Sequence, residues 1–144
     1  MGIRRQARET TLQLLYLCDN CHFNADEALH SFFDTLELPQ ECKEFAQQLF
    51  FGTWEKHTVL DELITRYAEN WALDRMAAID RNILRLATYE IIEMPETPIN
   101  VIIDEAVEIA KRYSTSESSK FVNGILDKLK SARKNQSSAA PRNT

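Results

Sequence analysis

Apolar residues return every three or four positions along most of the chain. Ile3, Ala7, Thr11, Leu14, Leu15 and Cys18 fall on one stripe, so residues 3–19 are predicted to form an amphipathic helix. Asn24 can cap a second helix, with Ala25, Ala28, Leu29, Phe32, Phe33 and Leu36 as its inner side. Pro39 suits the first position of a third, and Cys42, Phe45, Ala46, Leu49 and Phe50 keep the period. The same period continues through Val59, Leu60, Leu63, Ile64 and Tyr67, with Gly52 placed to bend the long segment. Asp74 can cap a fourth stretch that turns Ile79, Ile83, Leu86, Ala87, Tyr89 and Ile91 inward, and Pro95 and Pro98 end it. Asn100 opens the next helix, with Ile102, Ala106, Ile109, Ala110 and Tyr113 on one face. Ser114 to Glu117 has capping-box spacing ahead of a last helix that buries Val122, Ile125, Leu126 and Leu129. Gly124 lies inside that helix at a cost of about 1 kcal/mol against alanine, a position read as permitting close helix crossing.

No segment alternates in the strand pattern, and the three glycines are too few for a series of hairpin turns. The expected fold is therefore all-α, a compact single domain of six or seven helices over residues 1–132. Residues from 131 on are Ser-, Ala-, Asn- and basic-rich and are expected to fray, leaving a disordered tail over 133–144.

A chain of 144 residues, 44% hydrophobic and 27% charged, can bury one core without staples. No apolar run approaches the roughly 18 residues that span a bilayer, and the N-terminus lacks an apolar signal core. Gly2 suggests myristoylation, but Gln6 stands where Ser or Thr is needed. A cytoplasmic protein without membrane contact is expected.

Charge changes the picture more than composition does. The net charge is −5, yet residues 1–8 carry Arg4, Arg5 and Arg8 with no acid. Residues 120–144 carry Lys120, Lys128, Lys130, Arg133, Lys134 and Arg142 against Asp127 alone. An acidic body with two basic ends points to an anionic partner held at the ends.

Several motifs invite catalysis or metal binding and fall short. Cys18-Asp-Asn-Cys21-His22 spells the c-type haem attachment sequence, but that chemistry belongs to exported proteins, and Cys18 lies on the apolar stripe. The same residues form only half of a structural zinc site, which wants a second tight pair. Glu27 and His30 have the spacing of a di-iron motif that would need a second copy. Asp61-Glu62 and Asp104-Glu105 are adjacent residues whose side chains diverge on a helix. Neither a phosphate loop nor a nucleophile elbow occurs. The reading is non-enzymatic, without cofactor or metal.

Two features remain. Arg4, Arg5 and Arg8 crowd the first turns of a helix, where cations oppose the macrodipole. Glu9 can offset one of them, so the cluster points to phosphate, which arginine binds with two donors. Lys120 and Phe121, behind Ser118 and Ser119 at the start of the last helix, combine charge, an aromatic face and free amides, as single-stranded RNA requires. Taken alone, Phe121 fits a core position as well.

Together these segments resemble the transcription antitermination factor NusB family. The strings that carry the resemblance are Arg4-Arg-Gln-Ala-Arg-Glu9 running into Leu12-Gln-Leu-Leu-Tyr16, Asp80 to Glu90, Pro98 to Lys111, and Lys120-Phe-Val-Asn-Gly-Ile-Leu-Asp127. They span nearly the whole chain except the tail. The resemblance implies two packed helical bundles that bind boxA-type single-stranded RNA together with the small-subunit ribosomal protein NusE. It further implies an assembly that joins the RNA polymerase elongation complex and supports transcription of ribosomal RNA operons. On it, Arg4, Arg5, Arg8, Glu117, Lys120 and Phe121 are expected to face RNA, and Tyr16 and Asp80 the protein partner. Some relatives form homodimers, and some carry arginine where Gln6 stands. A similar domain precedes the catalytic domain of some ribosomal RNA cytosine methyltransferases, which is the alternative reading, along with a helical scaffold that binds proteins only.

Overall fold

The structure, a computed structural model, describes residues 2–21, 25–69 and 71–139, with side chains at 2–19, 27, 31–69 and 71–133. Among these residues there are seven α-helices and no strand. They are α1 (Ile3–Cys21), α2 (Ala25–Thr35), α3 (Gln40–Glu55), α4 (His57–Tyr67), α5 (Ala78–Glu93), α6 (Ile99–Tyr113) and α7 (Ser116–Ala139). A short 3-10 turn, Leu73–Arg75, precedes α5. The expected all-α architecture is what the chain adopts.

Two buried clusters make two bundles. In the first, Leu14, Leu15 and Cys18 of α1 meet Phe33 of α2 and Ala46, Leu49 and Phe50 of α3. In the second, Ile64 of α4 meets Ile83, Leu84, Ala87 and Ile91 of α5, Ile102 and Ile109 of α6, and Val122, Leu126 and Leu129 of α7. Helix α5 serves both, since Leu86 and Tyr89 point into the first cluster. Its burial nearly all round is what a central helix requires. Ion pairs stitch the bundles where apolar packing ends. Arg81 Nη2 lies 2.8 Å from Asp19 Oδ2, and Arg85 Nε lies 2.7 Å from Asp61 Oδ1, tying α5 to α1 and to α4. Burial pushes the Asp19 carboxyl up, but Arg81, Arg85 and Asn82 outweigh it and hold the group below its ordinary range.

Several local expectations are corrected. Pro39 and Pro98 sit at the N-cap positions of α3 and α6, one place before each helix, and Asn100 and Asp74 open nothing. Asn24 and His22 lie outside the described residues, as does the side chain of Cys21; Cys18 is buried within α1. The long third segment breaks at Lys56, not at Gly52. Gly52 acts instead in packing, because a Cβ there would collide with the ring of Tyr89, and glycine lets α3 approach α5. Gly124, expected to permit a crossing, has no atom within 4 Å of where its Cβ would be, and nothing in the structure requires glycine there. Val59 and Tyr113 are exposed although both keep the apolar period.

The C-terminal helix does not stop near residue 131. It continues to Ala139, and Arg133 is part of the packed body. Its guanidinium donates to the backbone carbonyls of Glu90, Ile91, Met94 and Thr97 at 2.7–3.1 Å. One remote arginine thus gathers carbonyls from the end of α5 and from the turn that follows it.

Candidate nucleic-acid interface

Helices α1 and α6 run in the same direction and are bridged by long side chains, as Arg5 meets Glu105 and Glu9 meets Arg112. Helix α5 runs the other way, since Arg8 meets Glu90 while Asp19 meets Arg81. The expected RNA residues are thereby separated into two places. The N-terminal arginines lie where α1 and α6 begin and α5 ends. Glu117, Lys120 and Phe121 lie where α7 and α5 begin and α6 ends. From Arg5 to Asp19 the rise of a helix amounts to about 20 Å.

At the first place the arginines differ sharply. Arg4 is exposed, with its guanidinium carbon 4.2 Å above the centre of the Phe45 ring. Arg5 is half-buried and grips Glu105 with two bonds of 2.8 and 2.6 Å. That bidentate bond holds the Glu105 carboxyl below its ordinary value of 4.5, against the opposing effect of burial, and raises the Arg5 guanidinium. Arg8 is only 4% exposed and grips Glu90, itself buried, with bonds of 2.8 and 2.7 Å. The Nε and Nη2 edge of Arg8 is thereby committed to Glu90, which leaves little of the side chain at the surface. An open groove of about 640 Å³ runs beside them, lined by Arg4, Arg5, Arg8, Thr97, Pro98 and Val101 among others.

At the second place, Thr115 caps α7: the Ser118 amide donates to Thr115 Oγ1 at 3.0 Å. The cap is therefore one residue later than the expected Ser114, and Glu117 is not drawn into it. Glu117 and Lys120 are both well exposed and 3.9 Å apart. Phe121 is half-buried, its ring edge-on to Trp71 with centroids 5.6 Å apart. Trp71 is 52% exposed. These rings, with Arg75, Met76, Ala77, Asp80, Glu117 and Ser118, line a cleft of about 350 Å³.

Asp80 is corrected most. Expected on an exposed protein-binding face, it is 6% exposed and accepts a hydrogen bond from Ser118 Oγ at 2.9 Å through Oδ2. It lines the same cleft as Phe121. Tyr16, by contrast, is 39% exposed on α1, one turn before the Asp19–Arg81 pair, at the same end of the molecule. Among the described residues no group of three His, Cys, Asp or Glu side chains could hold a metal ion, and no helix is long and apolar enough to cross a membrane.

The arginine partners Glu90 and Glu105 escaped the sequence reading, as did Trp71 and Arg75. One signal existed for the first: Glu90 follows Ile83 by two helical turns, an acid on an apolar stripe, which is tolerated only with a partner.

Comparison with known proteins adds a family. The family model described as "NusB family" matches residues 5–131. The antitermination protein NusB of Elusimicrobium minutum is 45% identical over 139 residues, covering 94% of this chain and 98% of that protein. NusB of Desulfitobacterium hafniense is 46% identical over 128 residues, covering 88% and 86%. Among solved structures, T. maritima NusB superposes with a TM-score of 0.81 at 40% identity, over 89% of this chain and 90% of that one. A structure of antitermination factors NusB and NusE in complex with double-stranded RNA contains a chain that superposes at 0.82 with 25% identity, over 92% and 98%.

Proposed function

The chain belongs to the NusB family, and on that premise we propose that it binds boxA-type single-stranded RNA together with the ribosomal protein NusE. As a transcription antitermination factor of that family it acts in the cytoplasm, joining the RNA polymerase elongation complex through this assembly, without catalysis of its own. The observation that carries the RNA reading is the groove at the start of α1 and α6. There Arg4 makes no ion pair with a carboxylate among the described residues and Arg5 is half-exposed, in a groove that Glu96, Thr97, Pro98, Val101 and Glu105 also line. Arginine there meets phosphate with paired donors, while Lys120 supplies a second cation at the far end of α6.

The protein-partner face is drawn around Tyr16, the exposed ring at the end of α1, and not around the carboxylate of Asp80. A scaffold that binds only proteins is the second reading, favoured by one observation: Arg5 and Arg8 already have carboxylate partners. The test is titration of a labelled boxA-like RNA with the chain alone and with NusE present, following self-association by sedimentation. Binding that tightens when NusE is added supports the proposal. RNA left unbound in both titrations, with NusE still captured, leaves the scaffold.

A further inference from the structure

The turn between α5 and α6 walls the arginine groove. Glu96, Thr97 and Pro98 line that groove, as do Val101 and Glu105 from the first two turns of α6. The turn has few bonds of its own. Pro95 and Pro98 have no N–H to donate, and the Thr97 amide closes the turn on the Met94 carbonyl at 3.0 Å. A further anchor comes from the far end of the chain. Arg133 Nη1 donates to the Thr97 carbonyl at 2.8 Å, while Nε and Nη2 donate to Ile91, Glu90 and Met94 at 2.7–3.1 Å. Four of the five donors of a guanidinium are thus turned on the last turn of α5, its cap and the residue before the cap of α6.

A planar fork has one geometry, so these bonds fix the start of α6 against the end of α5. Both sides of that joint also hold the groove's arginines. Glu90, whose carbonyl Arg133 takes, pairs through its side chain with Arg8, and Glu105 on α6 pairs with Arg5. Burial works against the charge of Arg133 and pushes its guanidinium down, with Glu96 and Glu90 opposing. A cation is nevertheless held there, at the negative end of the α5 dipole. Helix α7 therefore begins beside Phe121 and reaches the arginine groove about 25 Å further on.

We infer that Arg133 is a positioning residue for RNA binding, setting the opening of the groove between α1 and α6 through the α5–α6 turn. The inference rests on the RNA reading above and extends it to a residue that does not line the groove. In the sequence Arg133 belongs to a basic end that suggests anion binding. In the fold its donors face carbonyls, and its effect on RNA passes through Thr97 and the entry to α6.

The full chain is titrated with a labelled boxA-like RNA in the presence of NusE, beside NusE capture without RNA and hydrogen exchange at the Thr97 amide. Arg133→Met keeps an apolar stem and removes all four donors. It should weaken RNA binding about tenfold, leave NusE capture unchanged and speed exchange at Thr97. Arg133→Lys keeps the charge but places it on one atom that cannot span four carbonyls, so RNA binding should still weaken by about threefold or more. Ile64→Ala is the control for stability alone. It truncates a buried core residue toward the other end of α5, since Asp61 meets Arg85 whereas Lys56 meets Glu93. It should lower the melting temperature yet keep RNA affinity at a temperature where it remains folded.

RNA affinity unchanged in Arg133→Met overturns the inference, as does unchanged exchange at Thr97. Full affinity in Arg133→Lys overturns it too, since charge alone would then account for the residue. An equal loss in Ile64→Ala would reduce the effect to stability and has the same force. Should Arg133→Met fail to fold, Arg133→Lys decides by the same readouts. A wild type that captures NusE but leaves RNA unbound refutes the RNA reading itself, and the inference falls with it.

Discussion

The two ends of α1 treat charge in opposite ways. At its start, two of three arginines are closed off by carboxylates from distant helices, Arg8 by Glu90 and Arg5 by Glu105. At the other end, Asp80 Oδ1 is buried without a hydrogen-bond partner among the described residues, on a residue that lines a cleft with Trp71 and Phe121. By charge alone the arginine end would be the binding site, yet most of its charge holds the fold together. The Asp80 end has the pattern of ordinary helix surface, yet it buries an acceptor without a donor. Whether a charged group can bind depends on which of its hydrogen-bonding positions the fold has already used.

The largest test of that contrast removes Arg8. Arg8→Ala should cost about 3–5 kcal/mol, because Glu90 is left as a buried unpaired charge, and thermal unfolding reads this directly. Replacing both partners with apolar residues, Arg8→Met with Glu90→Leu, should recover much of the loss. A melting temperature unchanged in the single variant would mean that Arg8 is free after all.

Phe121→Leu addresses the other end. It keeps an apolar side chain against the core but removes a stacking face, so RNA affinity should fall by about 1–3 kcal/mol with the same salt dependence. A change in salt slope would show that charge and stacking are not separable there. Arg4→Ala should do the reverse. It should flatten the slope of log affinity against log salt by about 0.7, the contribution of one phosphate contact on a single strand, with unfolding almost unaffected. A slope that stays put removes Arg4 from the RNA site.

The smallest effect concerns pH. Glu105 has a carboxyl held below its ordinary value of 4.5 by Arg5, so its pairing stabilises the fold fully above that value and is lost as pH falls through the depressed folded value. Glu105→Gln should therefore be less stable than the wild type at neutral pH. The difference should be below about 1 kcal/mol because solvent screens the half-buried Arg5. The two proteins should converge in stability as the medium becomes more acidic than the ordinary glutamate range. A gap that persists in acid would place the cost in packing and not in charge.

Helix existence was legible because it depends on local periodicity. Residues three and four apart share a face whatever the rest of the chain does, and Ala7, Leu14, Leu15 and Cys18 are buried together as their spacing requires. The strings around Arg4, Asp80 and Lys120 likewise carried the family. Helix ends were less legible: Lys56 breaks α3 from α4 without a glycine or proline. The close approach read at Gly124 lies at Gly52 instead, because only packing tells that Tyr89 occupies the space beside Gly52 while nothing lies beside Gly124. Composition and spacing told correctly that Arg4, Arg5 and Arg8 stand in neighbouring positions on one helix. They could not tell which is free, since the deciding carboxylates lie 82 and 100 residues away. Nor could they place Asp80 in a cleft with Phe121, 41 positions on. Local order follows from contacts a few residues apart, whereas the availability of a charge follows from which distant groups the folded chain brings within hydrogen-bond reach.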